Sequence, residues 1–166
     1  MTLPASVEFH EEGPREGFQM ETGRFALADR AALIDALSAA RLKQIQVGSF
    51  VSPRAVPQMA DTPDLFAAIH KQPGTRYTAL WLNTNGFERA RACDQVDLDG
   101  KVIAIALQQG DALAIGQTVI VLESMKMELH VNAPFDGTLD KLHCQVGDMV
   151  ERGQILAVVS AQSSAT

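Results

Sequence analysis

Cysteine, aromatic residues and long apolar runs are all scarce in this chain of 166 residues. Its two cysteines, Cys93 and Cys144, are too few for a disulfide framework, so we expect both to be reduced thiols. No apolar run is long enough to span a bilayer, and the acidic N-terminus lacks a signal-peptide pattern. These absences argue against a disulfide-stapled secreted domain and a membrane partner, and they make the cytoplasm the expected location.

Histidine is equally sparse, and its positions do not indicate a metal site. The four histidines have no metal-ligand spacing, and the pattern His-x-His does not occur in the sequence. We therefore expect no resident metal and interpret the histidines as structural or surface residues.

The chain also lacks an excess of basic residues, since its formal net charge is -6. Residues 1–92 contain ten Lys plus Arg and ten Asp plus Glu, whereas residues 93–166 contain four and ten. The whole net charge therefore lies in the C-terminal part, which indicates two unlike parts. An acidic surface repels the phosphates of nucleic acids, so we expect no nucleic-acid partner.

The C-terminal part contains an internal repeat between residues 99 and 161. Three residue pairs recur at one offset, 136 − 99 = 147 − 110 = 153 − 116 = 37. The pairs are Asp99-Gly100, Gly110-Asp111 and Gly116-Gln117, followed by Asp136-Gly137, Gly147-Asp148 and Gly153-Gln154. Short apolar runs between these turn residues predict β-strands. The repeat therefore predicts two similar β halves related by a pseudo-twofold axis.

Lys126 lies between the two halves, within the run from Val121 to Val131. The chain must turn there from the last strand of one half into the first strand of the other, so we expect a hairpin with Lys126 at its tip. Together with the repeat, Met125-Lys126-Met127 resembles the attachment site of biotinyl (biotin carboxyl carrier) domains. The resemblance covers residues 97–161.

This resemblance implies an all-β flattened barrel that acts as a carrier. The ε-amine of Lys126 would hold biotin through an amide, with Met125 and Met127 on either side. The implied partners are a biotin protein ligase and the biotin carboxylase and carboxyltransferase subunits of an acyl-CoA or related carboxylase. No residue of the domain needs to be catalytic, because the cofactor supplies the chemistry.

Lipoyl domains share this fold and its hairpin lysine, so a lipoyl carrier is an alternative. They typically have Asp before the lysine and Ala after it, whereas methionine on both sides favours biotin. Glu128 is interpreted as a solubilising charge on a strand. For Glu123, the same interpretation and recognition by the ligase both remain open.

The N-terminal ninety residues resemble a different family, the start of hydroxymethylglutaryl-CoA lyase. The resemblance rests on Val7 to Gln19, Ile45 to Pro53 and Val56 to Met59. It implies the first part of a TIM barrel, and the local patterns agree. We predict strands at residues 7–11, 44–48 and 76–82, and helices at 28–41, at 62–72 with Thr62 as N-cap, and from residue 86.

Three positions of this chain align with functional residues of the lyase family, and at two of them the residue differs from the family's. Arg15 matches the arginine that polarises the substrate carbonyl, Glu16 replaces the metal-binding Asp, and Gln46 stands where the family has Glu. A glutamine cannot carry a proton. The His-x-His metal ligands are also missing. We therefore expect no catalytic residue, and keep a lyase-like carbon–carbon lyase as the alternative function.

The fold class predicted for the whole chain is α+β, with an incomplete β/α segment before the flattened barrel. A closed TIM barrel takes ~250 residues. We expect the fragment to leave a sheet edge unpaired and to cover Ile45, Val47 and Leu80 incompletely. The predicted divisions are a lyase-like segment at 1–92, a join at 93–98, the biotinyl domain at 99–161 and a frayed tail at 162–166. A docking fragment, a module completed by another chain and a gene remnant all remain open for the first part.

Overall fold

The computed structural model describes residues 5–161, so the tail predicted at 162–166 lies outside the described residues. The chain forms two compact units, Met1–Asp97 and Leu98–Thr166. The first unit is a β/α segment and the second consists of β-strands, which confirms the predicted α+β class. Within residues 5–161, none of the helices is both long and apolar enough to cross a membrane.

The first unit is a parallel three-stranded sheet with four helices. Its strands are β1 (His10–Glu11), β2 (Gln44–Ser49) and β3 (Arg76–Leu80), in the order β1-β2-β3. Its helices are α1 (Gly13–Met20), α2 (Leu27–Ala39), α3 (Thr62–Ala68) and α4 (Thr84–Ala92), with a 3₁₀ turn at Pro57–Met59. Both strand pairs are parallel, which is the β/α order that the sequence predicts.

Several predicted boundaries differ from the structure. The strand expected at residues 7–11 is only His10–Glu11, and α1 was not predicted. The helix expected at 62–72 ends at Ala68, and its N-cap is Asp61 rather than Thr62. The Thr62 hydroxyl instead donates to the Met59 carbonyl at 2.8 Å, which ties α3 to the preceding 3₁₀ turn.

The prediction that Ile45 and Val47 would be incompletely covered was wrong, because both are fully buried. They lie in β2, which contacts α1, α2 and α3. Of the three residues that were expected to be incompletely covered, Leu80 alone is half-buried. The helices of the first unit are therefore sufficient to bury the central strand without the rest of a barrel.

On the outer edge of β3, which pairs with no other strand, the backbone of one residue is nevertheless hydrogen-bonded. Tyr77 N donates to Asp97 Oδ2 at 2.7 Å, and Asp97 N donates to the Tyr77 carbonyl at 2.9 Å. Lys71 Nζ lies 3.5 Å from Asp97 Oδ1 and 5.1 Å from the centroid of the Tyr77 ring. Asp97 therefore closes part of the edge that the sequence predicted to be unpaired.

The second unit has two sheets. The strands are β4 (Asp99–Ile105), β5 (Ala112–Leu113), β6 (Thr118–Ser124), β7 (Met127–Asn132), β8 (Gly137–Leu142), β9 (Met149–Glu151) and β10 (Ala157–Ala161). One sheet has the order β7-β6-β4-β9 and the other the order β10-β8-β5. Side chains of both sheets form one core, which contains Val102, Leu113, Val119, Ile120, Ala133, Leu139 and Val150.

The repeat appears in the structure as a pseudo-twofold arrangement. An offset of 37 maps β4 onto β8 and β5 onto β9, and each short strand pairs with the other half's long strand, β5 with β8 and β9 with β4. Gly110 N donates to the Leu139 carbonyl and Gly147 N to the Val102 carbonyl, both at 2.8 Å. Gly110 and Gly147 have φ values of 94° and 101°. The two halves therefore interlock through equivalent turns, as the repeat predicts.

Candidate attachment site

Lys126 lies in the two-residue turn between β6 and β7. These strands are antiparallel, and Ser124 and Met127 form the last register pair before the turn. Met125 has φ 51° and Lys126 has φ 61°, so both turn residues are left-handed. Positive φ at both central residues is characteristic of a type I′ hairpin turn, whose twist matches that of the flanking strands. The structure thus places Lys126 at a hairpin tip, where the sequence predicts it.

This turn is made without the residues that usually form it. Type I′ turns favour Asn-Gly, because the left-handed region costs other L-residues roughly 1–2 kcal/mol each. Met125 and Lys126 therefore hold strained backbone angles. Such strain persists where the surrounding structure fixes it, and it is concentrated at functional sites.

The side chains at the tip divide into buried and exposed groups. Lys126 is exposed, Met125 and Met127 are half-buried, and Ser124 is buried with 6% of its surface accessible. Along β7 the residues alternate, with Met127, Leu129 and Val131 half-buried and the residues between them exposed. Both methionines are thus partly covered, while Lys126 is accessible to solvent. Ser124 is the one buried polar residue at the tip, and sequence analysis did not single it out.

Two glutamates face each other next to the turn. Glu123 and Glu128 are register partners across β6 and β7, and both are exposed. Like charges directly opposite each other destabilise a sheet. On its other side, Glu123 is the register partner of Lys101 in β4. The tip is therefore flanked by negative charge that is only partly balanced.

The lyase-like residues lie together in the first unit, where they form a closed cluster. Arg15 Nε donates to Gln46 Oε1, Arg15 Nη1 lies 3.0 Å from Glu16 Oε1, and Arg15 Nη2 lies 2.9 Å from Glu12 Oε2. The Arg15 side chain is only 11% exposed. Glu12 was not among the predicted residues, although its i,i+3 spacing to Arg15 is a typical ion-pair signal.

The lyase-like cluster does not fit a divalent metal. Glu16, the residue that matches the family's metal ligand, is paired with the Arg15 guanidinium. Across the part of the chain that the structure describes, no group of three or more His, Cys, Asp or Glu side chains is placed to hold a metal ion. A carbonyl substrate would also have to displace oxygen atoms that already occupy the guanidinium.

The two cysteines lie apart in the chain, and neither forms a disulfide within residues 5–161. Burial raises the pKa of the Cys144 thiol, and the negative charge of Asp148 raises it further. Since the thiolate is the reactive form, this environment makes Cys144 a poor nucleophile.

The two units match two different groups of known proteins. Residues 95–159 match the family model described as "Biotin-requiring enzyme". The chain is 51% identical over 90 residues to the 3-hydroxy-3-isohexenylglutaryl-CoA/hydroxymethylglutaryl-CoA lyase of Pseudomonas aeruginosa, covering 54% of this chain and 30% of that protein. It is 47% identical over 91 residues to the mitochondrial hydroxymethylglutaryl-CoA lyase of Mus musculus, covering 55% of this chain and 28% of that protein.

A solved structure gives the same result for the fold. The crystal structure of hydroxymethylglutaryl-CoA lyase from Pseudomonas aeruginosa matches 56% of this chain and 31% of its own, with a TM-score of 0.53 and 49% identity. The chain therefore spans less than a third of the length of these lyases. Both resemblances expected from the sequence, a biotinyl domain and the start of a lyase barrel, are confirmed.

Proposed function

We propose that this chain is a non-catalytic biotin carboxyl carrier component of a biotin-dependent carboxylase, with biotin bound covalently to Lys126. One observation carries the proposal. Lys126 is exposed at the tip of the hairpin that joins two symmetric halves, within a segment that matches a biotin-requiring family model. We take residues 99–161 as the carrier domain.

The geometry of the tip suits a group that must enter another protein's active site. Met125 and Met127 are half-buried, and the turn is held by the paired strands β6 and β7, whose register runs up to Ser124 and Met127. The lysine amine is left exposed beyond both methionines, so a ligase can reach it. In amide formation the neutral amine attacks the carboxyl carbon of biotinyl adenylate and AMP leaves, and the ligase must supply the base that accepts the amine's proton.

The protein's own part in carboxylation is then to present the cofactor. Biotin, when bound, supplies a ureido nitrogen that accepts a carboxyl group at one site and gives it up at another. The partners we propose are a biotin protein ligase, a biotin carboxylase and a carboxyltransferase that acts on an acyl-CoA or related acceptor. The tip offers them an exposed lysine between two apolar side chains.

Biotin is proposed over lipoate because of the two methionines. Lipoyl domains place Asp before the lysine and Ala after it, and Met125 and Met127 occupy those positions here. A ligase that distinguishes the two carriers must read the residues beside the lysine, since the fold is shared. A lipoyl carrier remains the alternative that a modification assay separates from the proposal.

A lyase of the hydroxymethylglutaryl-CoA type is the second candidate, favoured by the 51% identity over 90 residues. Two observations weigh against it. The chain covers only 30% of that relative, and the Arg15 guanidinium is occupied by Gln46, Glu16 and Glu12. Charge stabilisation at a reacting carbonyl needs donors that are free to point at it. The carrier function therefore has the stronger support.

One preparation of the full chain tests both candidates. After coexpression with a biotin ligase, the chain is incubated with a biotin carboxylase, ATP and radiolabelled bicarbonate. We expect chain-bound label in the wild type and none in Lys126→Arg, because arginine keeps its charge and cannot form the amide. Lys141→Arg, which changes another exposed lysine of the same unit, is the matched control and should retain the label.

The same preparation is also given hydroxymethylglutaryl-CoA with added magnesium or manganese. No cleavage is expected, because the metal-binding set is incomplete. Cleavage that depends on metal and is lost in Arg15→Ala would contradict the carrier proposal and favour the lyase.

A further inference from the structure

A small cavity lies in the first unit, beside the end of α1, the start of α2 and the 3₁₀ turn at Pro57–Met59. Its volume is about 130 Å³, and its lining includes Phe18, Arg24, Phe25, Arg30, Gln58 and Asp61. All of its lining residues belong to the first unit, and the lyase-like cluster around Arg15 is not among them. The cavity is therefore a feature of this unit that neither proposed function uses.

A buried arginine forms part of the cavity wall. The Arg30 side chain is only 4% exposed. Its Nη1 donates to the Gln58 carbonyl at 3.0 Å and its Nη2 to Asp61 Oδ1 at 2.8 Å, which uses two of the five N–H groups of a guanidinium. Arg30 Nε is buried and has no hydrogen-bond partner within residues 5–161. Because a buried donor without an acceptor costs free energy, a further acceptor at Arg30 would be stabilising.

The lining carries one excess positive charge. Arg24 and Arg30 are its two cations, and Asp61 is its one carboxylate. Arg24 is exposed, so one guanidinium lies at the surface and the other lies in the wall. A carboxylate forms its strongest hydrogen bonds with charged donors of this kind. The charge of the cavity therefore favours a monoanion.

Much of the remaining lining is apolar. The rings of Phe18 and Phe25 contact each other, with their centroids 4.8 Å apart, and Pro57 and Ala60 also line the cavity. Phe25 is 43% exposed, which leaves aromatic surface that a ligand can cover. An engineered cavity of about 150 Å³ in another protein binds benzene. The space beside these rings is therefore of the size that suits a single ring.

Hydrogen bonds between distant parts of the sequence fix the walls. Gln58 Nε2 donates to the Glu21 carbonyl at 3.0 Å, which joins the 3₁₀ turn to the segment after α1. The Gln58 carbonyl accepts from Arg30, which joins the same turn to α2. A site whose walls are already ordered loses less conformational freedom when it binds a ligand.

We propose that this cavity binds a small aromatic carboxylate. The ring covers Phe18 and Phe25, and the carboxylate accepts hydrogen bonds from Arg24 and Arg30. Both parts of the ligand are needed, since a small anion alone leaves the aromatic surface uncovered and a neutral ring leaves the buried guanidinium without its acceptor. The proposal concerns the first unit alone and is independent of the function proposed for Lys126.

The test is a titration of the ¹⁵N-labelled full chain with benzoate, followed by nuclear magnetic resonance. The Gly23 and Phe25 amides and the Arg30 Nε–H should shift and saturate, with a dissociation constant of about 1 mM, an ordinary affinity for a ligand of about nine non-hydrogen atoms. Benzyl alcohol keeps the ring without the charge, and acetate keeps the carboxylate without the ring. Each should bind at least about tenfold more weakly than benzoate.

Two exposed arginines of the first unit supply a matched pair of variants. Arg24→Gln removes a cation that lines the cavity and should weaken benzoate binding by about tenfold. Arg54→Gln removes the same charge at an exposed residue that does not line the cavity, and it should bind benzoate as the wild type does. Because both side chains are exposed, neither change removes a buried contact.

The same spectra contain the results that would overturn the proposal. These are the absence of a saturable shift with benzoate, binding of benzyl alcohol as tight as that of benzoate, and shifts confined to residues away from the cavity. Equal weakening by Arg24→Gln and Arg54→Gln would also overturn it, because the effect would then reflect the net charge of the unit rather than this site.

Discussion

The position of the Lys126 amine depends on the backbone angles of two residues. Met125 and Lys126 both have positive φ, which orients the lysine outwards between two strands whose register ends at Ser124 and Met127. A relaxed type I′ turn would carry Asn-Gly here. The strain is compatible with a site where the identity of both turn residues is fixed by recognition rather than by stability.

Met125→Asn tests this strain at the residue scale. Asparagine adopts left-handed angles at little cost, so the variant should stabilise the second unit by about 1 kcal/mol, offset in part by the lost methionine contacts. Met127→Asn is the control, because Met127 lies in an extended strand, and it should destabilise by about 1 kcal/mol. Hydrogen exchange of the β6 and β7 amides measures both. A Met125→Asn variant that exchanges faster than the wild type would contradict the account.

The sequence predicts the place of Lys126 in a hairpin turn because that place depends on a short turn and on a repeat that lies on both sides of it. Glu12 and Ser124 were missed for different reasons: the i,i+3 spacing of Glu12 to Arg15 was a local signal that was not used, whereas the burial of Arg15 and Ser124 depends on contacts that are distant in sequence. Glu12 pairs with Arg15, and Arg15 is fixed by Gln46, which is distant in sequence. Ser124 is buried by packing that no local pattern records. Contacts between distant residues are not visible in motif or periodicity.

At the scale of elements, the repeated Asp-Gly pairs are equivalent in sequence but not in packing. Gly100 and Gly137 are related by the offset of 37. A Cβ on Gly137 would lie 2.1 Å from the Ser160 carbonyl oxygen, whereas a Cβ on Gly100 would lie 3.3 Å from the Leu122 Cβ. The first is a clash with backbone, and the second is a tight contact with a side-chain atom.

Gly137→Ala and Gly100→Ala are therefore a matched pair. Gly137→Ala should destabilise the second unit by about 3 kcal/mol, because β8 and β10 must separate, and Gly100→Ala by about 1 kcal/mol. Urea unfolding followed by circular dichroism gives both values. Equal losses in the two variants would show that the approach of β8 to β10 does not limit the packing of this sheet.

The predicted element that ended early shows how tertiary contacts override local pattern. The helix expected to reach residue 72 stops at Ala68, and the next residue, Ile69, is extended and buried. His70 N donates to Asp35 Oδ1 and His70 Nδ1 lies near Asp35 Oδ2, both at 2.7 Å. Burial raises the pKa of Asp35, but these contacts with His70 outweigh it and lower the pKa overall. A residue of α2 therefore fixes the end of α3.

At the scale of the whole molecule, the two units differ in what reports their unfolding. The only tryptophan and the only tyrosine, Trp81 and Tyr77, are both buried in the first unit. Fluorescence therefore follows that unit alone, while amide exchange and circular dichroism also follow the second. The last residues of the first unit are held by that unit, since Val96 is buried and Asp97 is bound to Tyr77.

We predict that the first unit unfolds before the second. Its sheet has three strands, of which β1 has two residues, whereas the second unit closes its core with two interlocked sheets. Trp81 fluorescence should change at a lower urea concentration than the circular dichroism of the strands. Limited proteolysis should cut between residues 89 and 97 and leave a C-terminal fragment that accepts biotin. Coincident transitions, or equal protection of both units, would show that they unfold as one.

The most direct test of the carrier assignment is the intact mass of the full chain after coexpression with a biotin ligase and, separately, with a lipoate ligase. The account predicts a mass increase of one biotin less one water, with the modified peptide containing Lys126, and no change with the lipoate ligase. Lys126→Arg should keep the unmodified mass in both. Lipoate on Lys126, or biotin on Lys101 or Lys141, would contradict the central claim.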